Sequence, residues 1–134
     1  MKKAIAESAG AGLLLICLDD NTVLLVKRSE SVSEPGTWGV PGGHIESGET
    51  PAKAVKRETI EELGTFPRQI RPIQAISNKS PRGEFILFTA EISKEEKELW
   101  TSQIKLNDEH DAFHWFPIGN LPKHLHSAIE FTRT

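Results

Sequence analysis

The chain has 134 residues, 37% of them hydrophobic and 26% charged, with a formal net charge of -3. That is the length and balance of one soluble domain, residues 1–134, able to bury roughly 68% of its unfolded surface. The weak negative charge offers no basic field for a nucleic acid polymer or an anionic membrane. The single cysteine, Cys17, lies inside the apolar run 13–18; it excludes an intramolecular disulfide and reads as a buried thiol. The apolar stretch after Met1-Lys2-Lys3 is broken by Glu7 and is too short for a membrane span. Neither a leader nor an anchor is read, and a cytoplasmic monomer or homodimer is expected.

In chain order, residues 12–18 are apolar on both faces and predict a buried strand. Asp19-Asp20-Asn21 predicts a turn, and residues 22–26 a second strand closing a hairpin. Residues 29–37, rich in Ser, Glu, Pro and Gly, predict a loop. Trp38 to Gly43 is short, apolar and tightly turned. Residues 50–63 predict a helix, with Thr50 as cap, Pro51 in the first turn and Gly64 at its stop. Alternation over 70–76 and 84–92 predicts two strands. The charged stretch 93–99 predicts a helical excursion capped by Ser93, residues 112–116 a last strand, and residues 121–131 a terminal helix. Helices and strands alternate without repeat or linker, which predicts one α/β unit.

The helix 50–63 carries an unusual charge pattern. Glu58, Glu61 and Glu62 stand at i, i+3 and i+4, on one face within about a turn. Ala54, Val55, Ile60 and Leu63 define an inward stripe beside the acids rather than opposite them. Like charges at this spacing repel, and near a helix C-terminus the macrodipole opposes them too. A solvated face would tolerate this. A divalent cation would turn it into a binding site, and hard ions such as Mg2+ take carboxylate oxygens. Two glycines precede the helix, Gly42 and Gly43, which let backbone approach a ligand closely. Glu49 and Arg57 are an opposite-charge pair that can tie the preceding loop to the helix.

Gly43, then Glu49, then Arg57-Glu58-Thr59-Ile60-Glu61-Glu62-Leu63-Gly64-Thr65 resembles the Nudix box, with every charged and glycine position of that 23-residue pattern filled. Thr59 and Thr65 depart from it, standing where the family prefers large aliphatics. The hairpin ending in Lys27-Arg28, the Trp38 to Gly43 entry and the late Trp115-Phe116-Pro117 with Leu121-Pro122 resemble the family as well. The resemblance implies a Nudix-type α/β/α sandwich with a mixed β-sheet and a loop–helix–loop catalytic motif. It implies Mg2+- or Mn2+-dependent attack of water on a phosphorus of a nucleoside diphosphate linked to another group. Carried over by position, Glu58, Glu61, Glu62 and the Gly42 carbonyl hold metal, and Glu49 with Arg57 is the orienting ion pair. Glu61 is one candidate base; Glu109, in the loop before the last strand, is a second candidate for base or metal ligand, or a plain loop residue.

Other features leave alternatives open. Arg28 reaches a phosphate or base, or is solvated. Phe85 and Trp115 stack on a base or pack in the core. Lys79 and Arg82 can meet an outer phosphate. His110 and His114 have a metal-ligand spacing only on a helix, and the residues between them predict a strand. His44, His124 and His126 read as surface or locally hydrogen-bonded residues. Pro81, after the box, resembles a feature of ADP-ribose-cleaving members, while the small size and short loops resemble members that cleave nucleoside triphosphates, ordinary or modified, to monophosphate and pyrophosphate. A triphosphate is the leading expectation, ADP-ribose or a sugar nucleotide the alternative. A nucleotide-binding module without hydrolysis is the reading from another class; such modules usually lose box carboxylates, and this chain keeps them all.

Overall fold

The structure is a computed structural model that describes residues 9–81 and 83–129. Its centre is a mixed sheet of seven strands. These are β1 (Gly10–Cys17), β2 (Thr22–Arg28), β3 (Trp38–Gly39), β4 (Gly42–His44), β5 (Arg71–Ser80), β6 (Gly83–Glu91) and β7 (His110–Pro117), with helices α1 (Pro51–Leu63) and α2 (Lys94–Thr101). The main path runs β3-β2-β1-β6-β5; β4 also pairs with β1, and β7 with β2. The β1–β6 ladder is parallel, and the others are antiparallel. This is the mixed α/β sandwich expected from the box, and every strand read from the sequence is present, with bounds moved by a few residues.

The period-two alternation explains the two cores. Leu13, Leu15, Leu24 and Val26 point to one face, where they meet Ala54, Val55 and Leu63 of α1 and Trp100 of α2. Val23, Leu25 and Leu87 point to the other, where Leu125 and Ile129 cover them. β1 contributes to both faces, which is why its sequence is apolar throughout. Trp115, weighed above as a base-stacking residue, belongs to the first core. Its Nε1 donates to Thr101 Oγ1 at 3.0 Å, and Lys97 Nζ lies 4.8 Å from its ring centroid. It is built into the α2 side of the sheet and is not among the residues that line the cavity described below.

The caps behave as read. The Thr50 side chain accepts from Lys53 N, and Gly64 closes α1 in the left-handed region at φ 84°. Ser93 accepts from Glu96 N at the start of α2. Two expectations change. Ile60 is 41% exposed, and Thr59 takes its inward place at 0%; from Val55 the i+4 position returns to the core, the i+5 position does not. The terminal helix is replaced over 121–126 by extended chain. Trp38 N donates to His124 O and His126 N to Trp38 O, both at 2.8 Å, a ladder that α-helical geometry cannot offer. Pro122 already disfavours a helical Leu121. Residues 127–129 make one short helical turn, and residues 130–131 lie outside the described residues.

The β1–β2 turn holds α2 in place. Asp20 accepts from Lys97 Nζ at 2.5 Å and from Thr22 Oγ1 at 2.7 Å, and Asp19 accepts from Lys94 N at 2.8 Å. The Lys97 ammonium beside it holds the Asp20 carboxyl down at about 2, against an ordinary 3.8. A depressed carboxyl stabilises the fold above its unfolded pKa, and that stability is lost as pH falls through the folded one. The stability advantage of wild type over Asp20→Asn is therefore expected to be full above pH ~4 and to vanish towards pH ~2. Urea midpoints across that range check it, and an advantage unchanged at pH 2 would contradict it.

Candidate active site around the acidic face of α1

Arg57 organises the acidic face. Its Nε donates to Glu49 Oε2 at 2.7 Å and its Nη2 to Glu49 Oε1 at 3.0 Å, a two-point clamp. Nη1 donates to Glu58 at 2.9 Å and Glu61 at 3.3 Å, and Nη2 also to His44 O at 3.0 Å. One guanidinium thus ties the loop before α1, strand β4 and the helix together. The guanidinium holds the Glu49 carboxyl at about 2 and is itself pushed above its ordinary value, first by Glu49. The i+4 spacing of Arg57 and Glu61 also answers part of the repulsion read from the sequence.

The three glutamates occupy different depths. The side chain of Glu61 is 54% exposed and that of Glu58 15%, while Glu62 is 1% exposed. Gly42 N donates to Glu62 Oε1 at 3.2 Å. The Glu58 carboxylate rests on Gly43, where a Cβ would lie 2.6 Å from its Cδ. At Gly42, φ is +157° and a Cβ would stand 2.2 Å from Ala11 O. Gly42 is required by its close approach to β1 backbone, whereas a Cβ on Gly43 would displace the Glu58 carboxylate from its place between β4 and α1. Burial, then the Glu58 carboxylate, pushes the Glu62 carboxyl well above its usual range.

Glu109 joins this group from the loop before β7. That loop is pinned to the freed carbonyls at the end of α1, Lys105 N to Leu63 O at 2.8 Å and Asn107 N to Glu62 O at 3.0 Å. From the other side Ser29 Oγ donates to Asp108 O at 2.7 Å, and Ser29 N to Glu109 O at 2.9 Å. Burial and then the Glu58 charge raise the Glu109 carboxyl. Nothing in the local sequence marks Ser29, 79 residues from its partner Asp108, as an anchor.

His110 was weighed above only with His114, and the structure separates them. The β2–β7 register shifts between Lys27 and Arg28, leaving Asp111 as the extra residue of a bulge. The slip turns His110 inward, 3.9 Å from Glu62 Oε1, while His114 stacks edge-on with Phe116. His110 Nδ1 has no hydrogen-bond partner. Burial lowers it to about 4, so the imidazole is neutral and no ion pair with Glu62 exists.

Beside these groups opens a cavity of about 840 Å³, lined among others by Arg28, His44, Glu58, Asn78, Phe85 and Glu109. Arg28 is aimed by Ser33, donating to its carbonyl at 2.6 Å and its hydroxyl at 2.9 Å. Phe85 lines the cavity while packing against the second core. His126 also lines it, with Nε2 3.2 Å from Glu34. His124 gives its carbonyl to Trp38. Lys79 is paired across the hairpin with Glu84 and is not among the cavity residues. Arg82 lies outside the described residues.

The site fits a divalent cation by its donor chemistry. Glu62 is a buried carboxylate that no described cationic side chain pairs with, a costly state unless it is protonated or compensated by an ion. Its neighbours are the hard oxygens of Glu58 and Glu109. Among the described residues no three His, Cys, Asp or Glu side chains converge as a finished ligand cluster, and Arg57 occupies one oxygen each of Glu58 and Glu61.

The NUDIX domain family profile matches residues 8–134. This chain belongs to the Nudix family. It is 31% identical over 106 residues to a Methanocaldococcus jannaschii protein named ADP-ribose pyrophosphatase, a match covering 78% of this chain and 59% of that one. It is 32% identical over 80 residues to the 8-oxo-dGTP diphosphatase of Proteus vulgaris, covering 60% of this chain and 68% of the relative. The crystal structure of a MutT NUDIX hydrolase from Burkholderia pseudomallei superposes with a TM-score of 0.69 at 25% identity, over 93% of this chain and 94% of that one. This chain thus spans less than two thirds of the Methanocaldococcus relative. Nudix hydrolases generally use a divalent metal. No described helix is long and apolar enough to cross a membrane.

In chelator, Glu62→Gln is expected to melt at or above the wild-type temperature, because the amide keeps an acceptor for Gly42 N and carries no charge to bury. Mg2+ is expected to raise the wild-type Tm by mass action, ~2.7 kcal/mol at 100 Kd, and to raise that of the variant less. Melting curves with EDTA and with Mg2+ check both. A wild-type Tm unmoved by millimolar Mg2+ would remove the cation from the site.

Proposed function

We propose that this domain hydrolyses the phosphoric anhydride of a nucleoside diphosphate linked to another group, with Mg2+ or Mn2+. The observation that carries the reading is the buried Glu62 carboxylate, without a cationic partner among the described residues, meeting Glu58, Glu109 and the Gly42 backbone at the edge of a nucleotide-sized cavity. In it Glu58, Glu61, Glu62 and the Gly42 carbonyl would hold the metal, which when bound would supply charge neutralisation to the diphosphate and its leaving oxygen. Arg57 and Glu49 keep the loop and helix in register, so that the acids are positioned before substrate arrives. Arg28, oriented by Ser33, faces a phosphate oxygen. Glu109 is the base in this reading, supported by its being among the cavity-lining residues while Glu61 is not. It takes a proton from water as the water oxygen bonds to phosphorus, the bridging P–O bond breaks, and the leaving phosphate carries away the electron pair. Burial and the Glu58 charge lift its proton affinity towards the working range of a general base.

The preferred substrate is a nucleoside triphosphate, ordinary or oxidised, cleaved to monophosphate and pyrophosphate. ADP-ribose is the second reading, favoured by the name of the Methanocaldococcus relative. Retention of every box carboxylate argues against a module that binds without cleaving. The acting unit is the single domain 1–134, with a small-molecule nucleotide as its partner.

A panel of nucleoside triphosphates, 8-oxo-dGTP, ADP-ribose, dinucleoside polyphosphates and sugar nucleotides, scored for released phosphate and pyrophosphate, tests the reaction. Turnover is expected for at least one diphosphate-linked nucleotide and is expected to stop in EDTA. Glu62→Gln should lower kcat about 10²-fold or more, ~2.7 kcal/mol of transition-state stabilisation. Full turnover in excess chelator, or a Glu62→Gln enzyme of wild-type rate, would refute the reading.

A further inference from the structure

The chain returns to Glu62 twice, once at its backbone and once at its side chain. Asn107 N donates to the Glu62 carbonyl at 3.0 Å. Asn107 then turns the chain back: its Oδ1 accepts from Glu109 N at 3.0 Å and its carbonyl from His110 N at 3.4 Å. His110 enters β7 opposite Arg28, where the register slips. A bulge of this kind re-aims the side chain beside it. Here Asp111 is left exposed, and the His110 imidazole is brought to the Glu62 carboxylate, with Nδ1 3.9 Å from Oε1.

Both side chains are closed off from water, 3% exposed for His110 and 2% for Glu62. His110 Nδ1 has no hydrogen-bond partner among the described residues. A buried ring nitrogen left unpaired costs free energy, so packing alone would favour an apolar residue here. Glu62 is short of donors on its side. Gly42 N reaches its Oε1 at 3.2 Å, longer than a charge-assisted bond usually is. His110 Nδ1 faces the same oxygen, and a shift of about 1 Å would bring it to bonding distance. An unpaired donor and an under-supplied acceptor thus stand side by side in the interior, behind the acidic face of α1.

We infer that His110 is a positioning residue for the metal ligand Glu62: its Nδ1–H donates to Glu62 Oε1 while Oε2 serves a divalent cation. The inference rests on the metal reading above and adds the group that supports the ligand from behind. A carboxylate that must ionise in the interior needs hydrogen-bond donors as well as a cation. An arginine in this place would pair with Glu62 and compete with the ion. A neutral N–H orients and stabilises the carboxylate and leaves its charge for the ion. The bond also fixes the tautomer of the ring, with the proton on Nδ1 and none on Nε2.

Metal affinity and ring tautomer test this without requiring turnover. His110→Leu removes the donor and the unpaired nitrogen together. It is expected to bind Mn2+ about tenfold or more weaker than wild type, read from the free-ion signal in electron paramagnetic resonance. Its Tm in EDTA is expected at or above that of wild type, whereas loss of a merely structural residue would lower the Tm. His110→Asn keeps an amide N–H near the place of Nδ1 and should hold the affinity within a few-fold of wild type. In wild type loaded with Mg2+, nitrogen NMR of the histidine rings should show the His110 proton on Nδ1. An affinity in the Leu variant within twofold of wild type, or a bare Nδ1 in Mg2+-loaded wild type, would overturn the proposal and spare the metal reading; the second needs no variant to fold. Wild type that binds no Mn2+ would overturn both.

Discussion

The site depends on how closely β4 lies to its two neighbours. Gly42 has Ala11 O where a side chain would start, and Gly43 has the Glu58 carboxylate there. Because neither residue carries a Cβ, α1 can lay its acidic edge directly on strand backbone. The Gly42 N–H then reaches Glu62 in the interior. Arg57, bonded to the His44 carbonyl, fixes the same contact from the other end. A helix standing off by the thickness of one methyl group would leave Glu62 half in water, as an ordinary acidic surface.

That approach sets the electrostatics. Removed from water, Glu62 resists ionising; Glu109, partly shielded and facing Glu58, shifts the same way. His110, on the other side, resists protonation and offers no countercharge. The interior thus holds acids in want of a cation, while the Arg57 guanidinium is spent on Glu49 and on one oxygen each of Glu58 and Glu61. Pairing and burial are divided between the two edges of a single helical face. The paired edge stabilises the fold, and the deficient edge is available to a ligand.

The loops follow the same logic at longer range. Carbonyls freed at the C-terminus of α1 catch the chain at Lys105 and Asn107, and Ser29 catches it again at Asp108 and Glu109. A segment with no regular structure is therefore held at both ends by backbone groups that would otherwise lie unsatisfied. The bulge opposite Arg28 turns His110 from the face of His114 to that of Glu62. The chain after β7, extended by its ladder to Trp38, closes the second core and lines one side of the cavity with His126.

Much was legible in the residues alone. Alternation, apolar runs and cap residues located both hairpin strands, α1 with Thr50 and Gly64, and α2 with Ser93, because these signals act over one or two turns of chain. The i, i+3, i+4 spacing grouped Glu58, Glu61 and Glu62 for the same reason, and the box gave Glu49 its partner. What the spacing left open was depth, since helical geometry places three acids on one face but the packing of β4 decides which is buried. It also could not say that Thr59 points inward and Ile60 outward, that Trp115 serves α2, or that residues 121–126 extend along Trp38. Those outcomes turn on contacts between residues far apart in the chain, such as Trp38 with His124 or Trp115 with Thr101. Strand register, which no local pattern encodes, brings them together.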